Sequence, residues 1–255
     1  MSDLEPPRPP EPRSSELIGE ALGAAARRAG LDPAQQASTG HVVWRAMGGW
    51  RGVIESVVPS LLFVIVYTAT AQLVLSLLVS VGIAAVFTIV RLLQKSPPAA
   101  AIGGLIAAAA AAVLALITGN PSDNFVPGLL TNAAYGAAML VSALIGWPLI
   151  GLAAGYLMGE GVAWRADKRK RRTFFWLTIA WAGLFALRLA VQFPIYLSSL
   201  DPANRESAVA LLGTLKIAMG LPLFAPLVAV TWLTARALYP RRAGAGEDRG
   251  QAASE

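Results

Sequence analysis

The stretch VIESVVPSLLFVIVYTATAQLVLSLLVSVGIAAVFTIV, residues 53–90, decides the fold. Its only charge is Glu55. A helix rises about 1.5 Å per residue and a hydrocarbon core is about 30 Å thick, so this run is too long for one crossing and suits two. The polar cluster YTATAQ, residues 67–72, offers groups for a tight turn at an interface. We therefore expect a first span over about 54–70 and a second over about 72–92.

Working outward, Arg91 and Lys95 end the second crossing and the SPP at 96–98 breaks the helix. A third span is expected over about 99–118, a turn-rich loop over GNPSDNFVPG, and a fourth span over about 129–145. PLIGLAAGYLMGEGVAW, residues 148–164, is apolar but holds Pro148, four glycines and Glu160. Charge decides its reading. The cluster ADKRKRR, residues 166–172, should share the cytoplasmic side with Arg91 and Lys95, because basic loops stay inside. Two spans already return the chain to that side, so 148–164 is expected to be an interfacial or re-entrant helix there. A fifth span follows over 173–196. An external loop SLDPANRE comes next, then a sixth span between about 207 and 237 with breaks at Pro222 and Pro226.

The expected architecture is an all-α, polytopic transmembrane bundle of about six spans plus one cytoplasmic-side interfacial helix. Arg45, Arg51, Arg91, Lys95, the 165–172 cluster, Arg236, Arg241 and Arg242 fall on one side, and Arg205 alone in a loop on the other. That asymmetry puts both termini in the cytoplasm of a bacterial plasma membrane. Residues 1–40 read as a cytoplasmic extension, largely disordered, with a short helix over 14–29. The transmembrane domain is 41–239, and 240–255 is a disordered cytoplasmic tail. Trp44, Trp50, Trp147, Trp164 and Trp232 are placed as an aromatic belt.

Composition agrees. The chain is 55% hydrophobic and 14% charged, well below the roughly 25% charge of soluble domains. Its pI near 10.1 is explained by basic residues flanking apolar runs, which face anionic lipid rather than nucleic acid. There is no cysteine and one histidine, His41, so disulfides, thiolate chemistry and cysteine-ligated metals are excluded, and no metal or cofactor is expected. No nucleophile with a base and no cluster of His, Asp and Glu appears, which argues against an enzyme.

Small residues at four-residue spacing are expected to pack helices: Ala134, Ala138, Ser142 and Gly146; Gly103, Ala107 and Ala111 beside Gly104, Ala108 and Ala112; Gly151, Gly155 and Gly159. The same stripes leave a homo-oligomer open.

The stretches GGWRGVIESVVPSLLFVIVY (48–67), LVSALIGWPLIG (140–151) and FFWLTIAWAGLFALRLAVQFPIYL (174–197) resemble a bacterial membrane family known as domain of unknown function 3159. More distantly, their order and the LLGTLKIAMGL of the last span resemble the intracellular septation protein A family. That likeness implies a cell-envelope protein acting through membrane protein or lipid partners in division or envelope assembly.

Two cations lie inside spans. Arg188 is about 22 Å into the fifth and Lys216 about 13 Å into the sixth, at similar depth. A mid-bilayer charge costs roughly 2.5–3.5 kcal/mol and needs a partner or water. With Gln192 one turn from Arg188, and Asn132 on the fourth span, they form a candidate intramembrane polar site. One reading is an anion pocket of a transporter or lipid-handling protein. The other is that both cations snorkel outward to Asp201, Glu206 or Asp123. Glu55 and Glu160 are candidate cytoplasmic-side acids. Glu55 suits the first turn of its helix beside Arg51, and Glu160 suits the facing 165–172 cluster.

Overall fold

The computed structural model describes residues 49–94 and 98–239. The readings made for 1–40, including a helix at 14–29, for Trp44, for the side chains of Trp50, Arg51 and Lys95, and for 240–255 lie outside the described residues.

Among the described residues the fold is all-α. Eight α-helices follow in order: α1 Gly49–Thr70, α2 Leu73–Leu93, α3 Pro98–Thr118, α4 Val126–Leu144, α5 Leu149–Leu157, α6 Lys168–Ser198, α7 Arg205–Ala218 and α8 Leu221–Leu238. Four stretches are long and apolar enough to cross a membrane: Leu73–Leu93, Pro121–Leu144, Lys168–Ser198 and the composite Pro202–Leu238. Val57–Thr70 and Ile102–Thr118 are apolar but shorter over the described side chains.

The division of the 53–90 run falls where its polar cluster lies. Thr68 and Thr70 donate their hydroxyls back to Val64 and Val66 carbonyls. Ala71 then turns the chain at φ 54°, a left-handed backbone that side chains with a Cβ adopt at a cost. α1 and α2 pack closely as the resulting hairpin.

Residues 148–164 do not form a span. α5 has nine residues, about 13 Å of helix, and is followed by a 3-10 turn, Ala163–Ala166. This hairpin folds back on the start of α6. Trp164 is fully buried, edge-on to Phe174 at 5.4 Å, in a cluster with Ala154, Leu177 and Ala235. Gly151 and Gly155 make room for it. A Cβ at Gly151 would stand 2.9 Å from the indole, and one at Gly155 would overlap both the indole and the Gly161 carbonyl. Trp164 is thus the plug of the hairpin. Trp232 is also buried, so neither forms the lipid-facing belt expected of them. Trp147 is exposed and carries the Arg165 guanidinium 3.6 Å above its ring.

Of the small-residue stripes, Gly151 and Gly155 pack closely as expected, Ala111, Ala112 and Ser142 are buried, and the rest of the α3 and α4 stripes is not. α4 and α6 share the most extensive helix contact, yet Ala134 and Ala138 are exposed. The buried face of α4 runs through Leu129, Asn132, Ser142 and Ala143, and a Cβ at Gly136 would stand 3.3 Å from Phe185 Cβ. Ser142, a member of the stripe, turns inward, donating to the Met139 carbonyl and accepting from Leu149 N–H, while Ala134 and Ala138 do not. On α3, Gly103, Gly104 and Ala107 are exposed.

The last crossing is broken at Met219–Gly220, between α7 and α8, not at the two prolines. Pro222 sits in the first turn of α8, where its missing N–H removes no helix bond, and Pro226 lies inside α8. Gly220 is needed because a Cβ there would stand 2.9 Å from the Lys216 carbonyl. α8 is held to α6 by Trp181, which donates Nε1–H to Thr231 at 3.0 Å and meets Phe224 edge-on at 4.8 Å.

Candidate functional site

A cavity of about 590 Å³ lies among α1, α2, α3, the start of α4 and the end of α7. One end carries charge. Glu55, in the second turn of α1, meets Arg91, in the last turn of α2, at 2.9 Å. We call this the basic end, since α6 starts on the same side with Lys168–Arg172. At mid-length, Lys216 donates its ammonium to Ser60 Oγ at 2.7 Å, below the Phe125 ring at 5.7 Å. Ser80 and Thr88 from α2 and Asn124 and Thr131 from the 121–131 segment add polar groups to the wall. The remaining wall is apolar and small, with Ala84, Phe87 and the Gly104, Ala107, Ala108, Ala111 face of α3.

The far end is closed by the 3-10 turn Pro121–Phe125. Asn120 accepts from Ser122 N–H and donates toward Ser199 at 3.4 Å. Tyr196 donates to Asp123 at 2.9 Å. These bonds tie the turn to the end of α6 and hold Phe125 inside, edge-on to Phe63 at 5.9 Å, in the core with Tyr67, Leu77, Ala115, Val209 and Leu212.

The candidates from the sequence regroup. Lys216 and Glu55, assigned to opposite sides, line one cavity. Arg188, Gln192 and Asn132 do not line it. Arg188 is half-buried with its Nε unpartnered, Gln192 is buried with its Nε2 unpartnered, and Asn132 is buried. Arg188 is near enough to Lys216 for the like charges to act on each other. Pairing of either cation with Asp201, Glu206 or Asp123 is not found. Among the described residues the ion pairs are Glu55–Arg91 and Glu160–Lys170. Asp123 is engaged by Tyr196, and Asp201 caps its own turn by accepting from Ala203 N–H. Among the described residues Lys216 is therefore a cation in a cavity wall whose hydrogen-bond partner is the neutral Ser60. The Ser60 contact joins residues 156 apart, which no local motif announces.

Glu160 faces the basic cluster, as its charge suggests. Both its carboxylate oxygens accept from Lys170, at 2.7 and 2.8 Å, and Lys170 also lies 4.0 Å over the Tyr239 ring. Asp167 caps α6 by accepting from Arg169 and Lys170 N–H. Burial pulls the Glu160 carboxyl upward, but the Lys170 ammonium on both its oxygens outweighs it, and the net effect is below the usual value of 4.5. Burial and then Glu160 push the Tyr239 phenol above its usual 10.0. A depressed acid contributes stability above its unfolded value and loses it as pH falls through the folded one. A raised phenol contributes below its unfolded value and loses it as pH rises through the folded one. The cluster's contribution should therefore be flat between 4.5 and 10.0 and decline outside that window. Thermal melts of wild type and Glu160→Gln across pH check this. The two curves should converge in acid, and parallel curves down to pH 3 would sink the assignment.

No cluster of three or more His, Cys, Asp or Glu suited to a metal occurs among the described residues. The model of a family described as a protein of unknown function (DUF3159) matches residues 47–242. No curated protein and no solved structure matches.

Proposed function

Since the chain belongs to the DUF3159 family, whose description assigns no activity, we propose from the geometry that it is a six-span plasma-membrane protein that holds an anion at Lys216. α1 and α3 complete the six crossings. They have 22 and 21 residues, about 33 and 31 Å of helix. The basic end is cytoplasmic and carries both termini. The exposed side chains of Lys168, Arg169, Arg171 and Arg172 then face the anionic headgroups of the inner leaflet.

The observation that carries the reading is the ammonium of Lys216 in the cavity wall, bonded to a hydroxyl and to no carboxylate among the described residues. A charge at this depth costs roughly 2.5–3.5 kcal/mol, and a bound phosphate or carboxylate offsets that cost. The Ser60 hydroxyl, while accepting from Lys216, has its own O–H to supply as a second donor. A role in division or envelope assembly, with membrane protein partners, is a second reading that the septation-like wording of 48–67, 140–151 and 174–197 supports.

The chain has no cysteine, so single-cysteine variants report without background. Ala166→Cys should label from the cytoplasm and Asp201→Cys from outside, and the reverse pattern overturns the orientation. Glycerol 3-phosphate should raise the melting temperature of the wild type and leave Lys216→Met unmoved. Equal shifts in both proteins would remove Lys216 from the site.

A further inference from the structure

The cavity's openings say where its ligand comes from. One end is spanned by the Glu55–Arg91 pair bridging α1 and α2, whose side chains keep 17% and 21% exposure, so a small water-soluble anion can enter there but a lipid cannot. The other end is closed by Phe125 and the turn fixed to α6, and the side is open. Gly104 and Ala107 of α3, and Gly128 and Thr131 of α4, line the cavity and are themselves exposed. A Cβ built at Gly104 or Gly128 meets nothing within 4 Å, and α3 and α4 touch only sparsely. Gly104 and Ala107 lie about 9 and 13 Å into α3, inside the hydrocarbon depth of about 30 Å. The opening therefore faces acyl chains, not water.

We propose that the cavity is entered from the bilayer between α3 and α4 and takes the phosphate headgroup of an anionic lipid. This rests on the reading of Lys216 as an anion site and names the ligand's class. The phosphate is held by Lys216 and Ser60. The acyl chains leave through the side and lie along the Gly104–Ala107–Ala111 face of α3, whose lack of side-chain bulk leaves them room. A cavity of about 590 Å³ has the size of a small-ligand pocket, which spans roughly 300–1,000 Å³. It suits a headgroup and the first carbons of its chains, with the rest remaining in the membrane. A water-soluble anion would gain nothing from the apolar wall of Phe87, Leu105 and Ala108.

The test uses the full chain purified in mild detergent, with native mass spectrometry after adding phosphatidylglycerol or phosphatidylcholine, and melting with glycerol 3-phosphate. Wild type should retain one phosphatidylglycerol at least tenfold better than phosphatidylcholine. Lys216→Met should lose that adduct. Ala107→Trp, a change at an exposed position that fills the opening, should lose it too while still responding to glycerol 3-phosphate. Weaker adducts on the exposed 168–172 cluster should survive both substitutions. If glycerol 3-phosphate acts through Lys216 but phosphatidylglycerol shows no preference, or is kept by Ala107→Trp, the lipid is overturned and the anion site stands. If neither ligand depends on Lys216, both fall. Should Lys216→Met fail to fold, Ala107→Trp alone still decides the lipid question.

Discussion

Replacing Trp164 with alanine is expected to cost about 3–5 kcal/mol, the range for truncating a fully buried aromatic. The indole is 0% exposed and fills the space that Gly151 and Gly155 leave open. Removing it leaves a cavity between α5, α6 and α8 that the hairpin cannot close, because Phe174, Ala154 and Ala235 are set by their own helices. Gly155→Ala should be nearly as damaging for the opposite reason, since its methyl overlaps the Gly161 carbonyl as well as the indole. Thermal unfolding in detergent measures both. Trp176→Ala is the control, a tryptophan 59% exposed whose loss should shift the midpoint little. If Trp164→Ala behaved like Trp176→Ala, the hairpin would not be packed as described.

The second large effect is at the charged end of the cavity. Breaking one partner of a buried ion pair costs roughly 3–5 kcal/mol because the other charge stays behind. The Glu55 and Arg91 side chains keep 17% and 21% exposure, so about 2 kcal/mol is expected for Glu55→Gln. The double variant Glu55→Gln/Arg91→Gln should be less damaged than the two single losses summed, by at least about 1 kcal/mol, since coupled neighbours are not additive. Melting temperatures of the four proteins close the cycle. Strict additivity would mean that the pair does not fasten α1 to α2.

How much of this could be read from the residues varies by element. The α1–α2 hairpin was legible because a polar cluster interrupts an apolar run, and the threonines there satisfy themselves on the preceding turn. That 148–164 holds only a nine-residue helix agrees with the expectation drawn from charge. The break in the last crossing was misplaced because proline is the louder signal, although it is tolerated in a first turn and Gly220 makes the close approach. Ala134 and Ala138 of the α4 stripe misled, although its Ser142 is buried, because spacing defines a face without saying how far along it burial extends. The two buried tryptophans misled for a similar reason: depth in the membrane can be read from sequence, but lipid-facing or bundle-facing orientation cannot. The cavity itself was not legible. Its key contacts join α1 to α2 and α1 to α7, and depend on helix neighbours that no window along the chain contains.

The interruption at Met219–Gly220 bears on how the chain enters the membrane. α7 has 14 residues and α8 has 18, about 21 and 27 Å, so neither half covers a hydrocarbon core of about 30 Å. α7 also carries Arg205, Glu206 and Lys216, which makes it a poor candidate for insertion by itself. Only together, as the composite Pro202–Leu238, are the two halves long and apolar enough to cross. A nascent chain ending near residue 220 would present the lysine before the apolar α8 that carries it into lipid. Lys216 and the α8 that supplies the missing length are thus one unit of insertion, and the residues that meet the lysine, Ser60 and the rest of the cavity wall, all precede it in the chain.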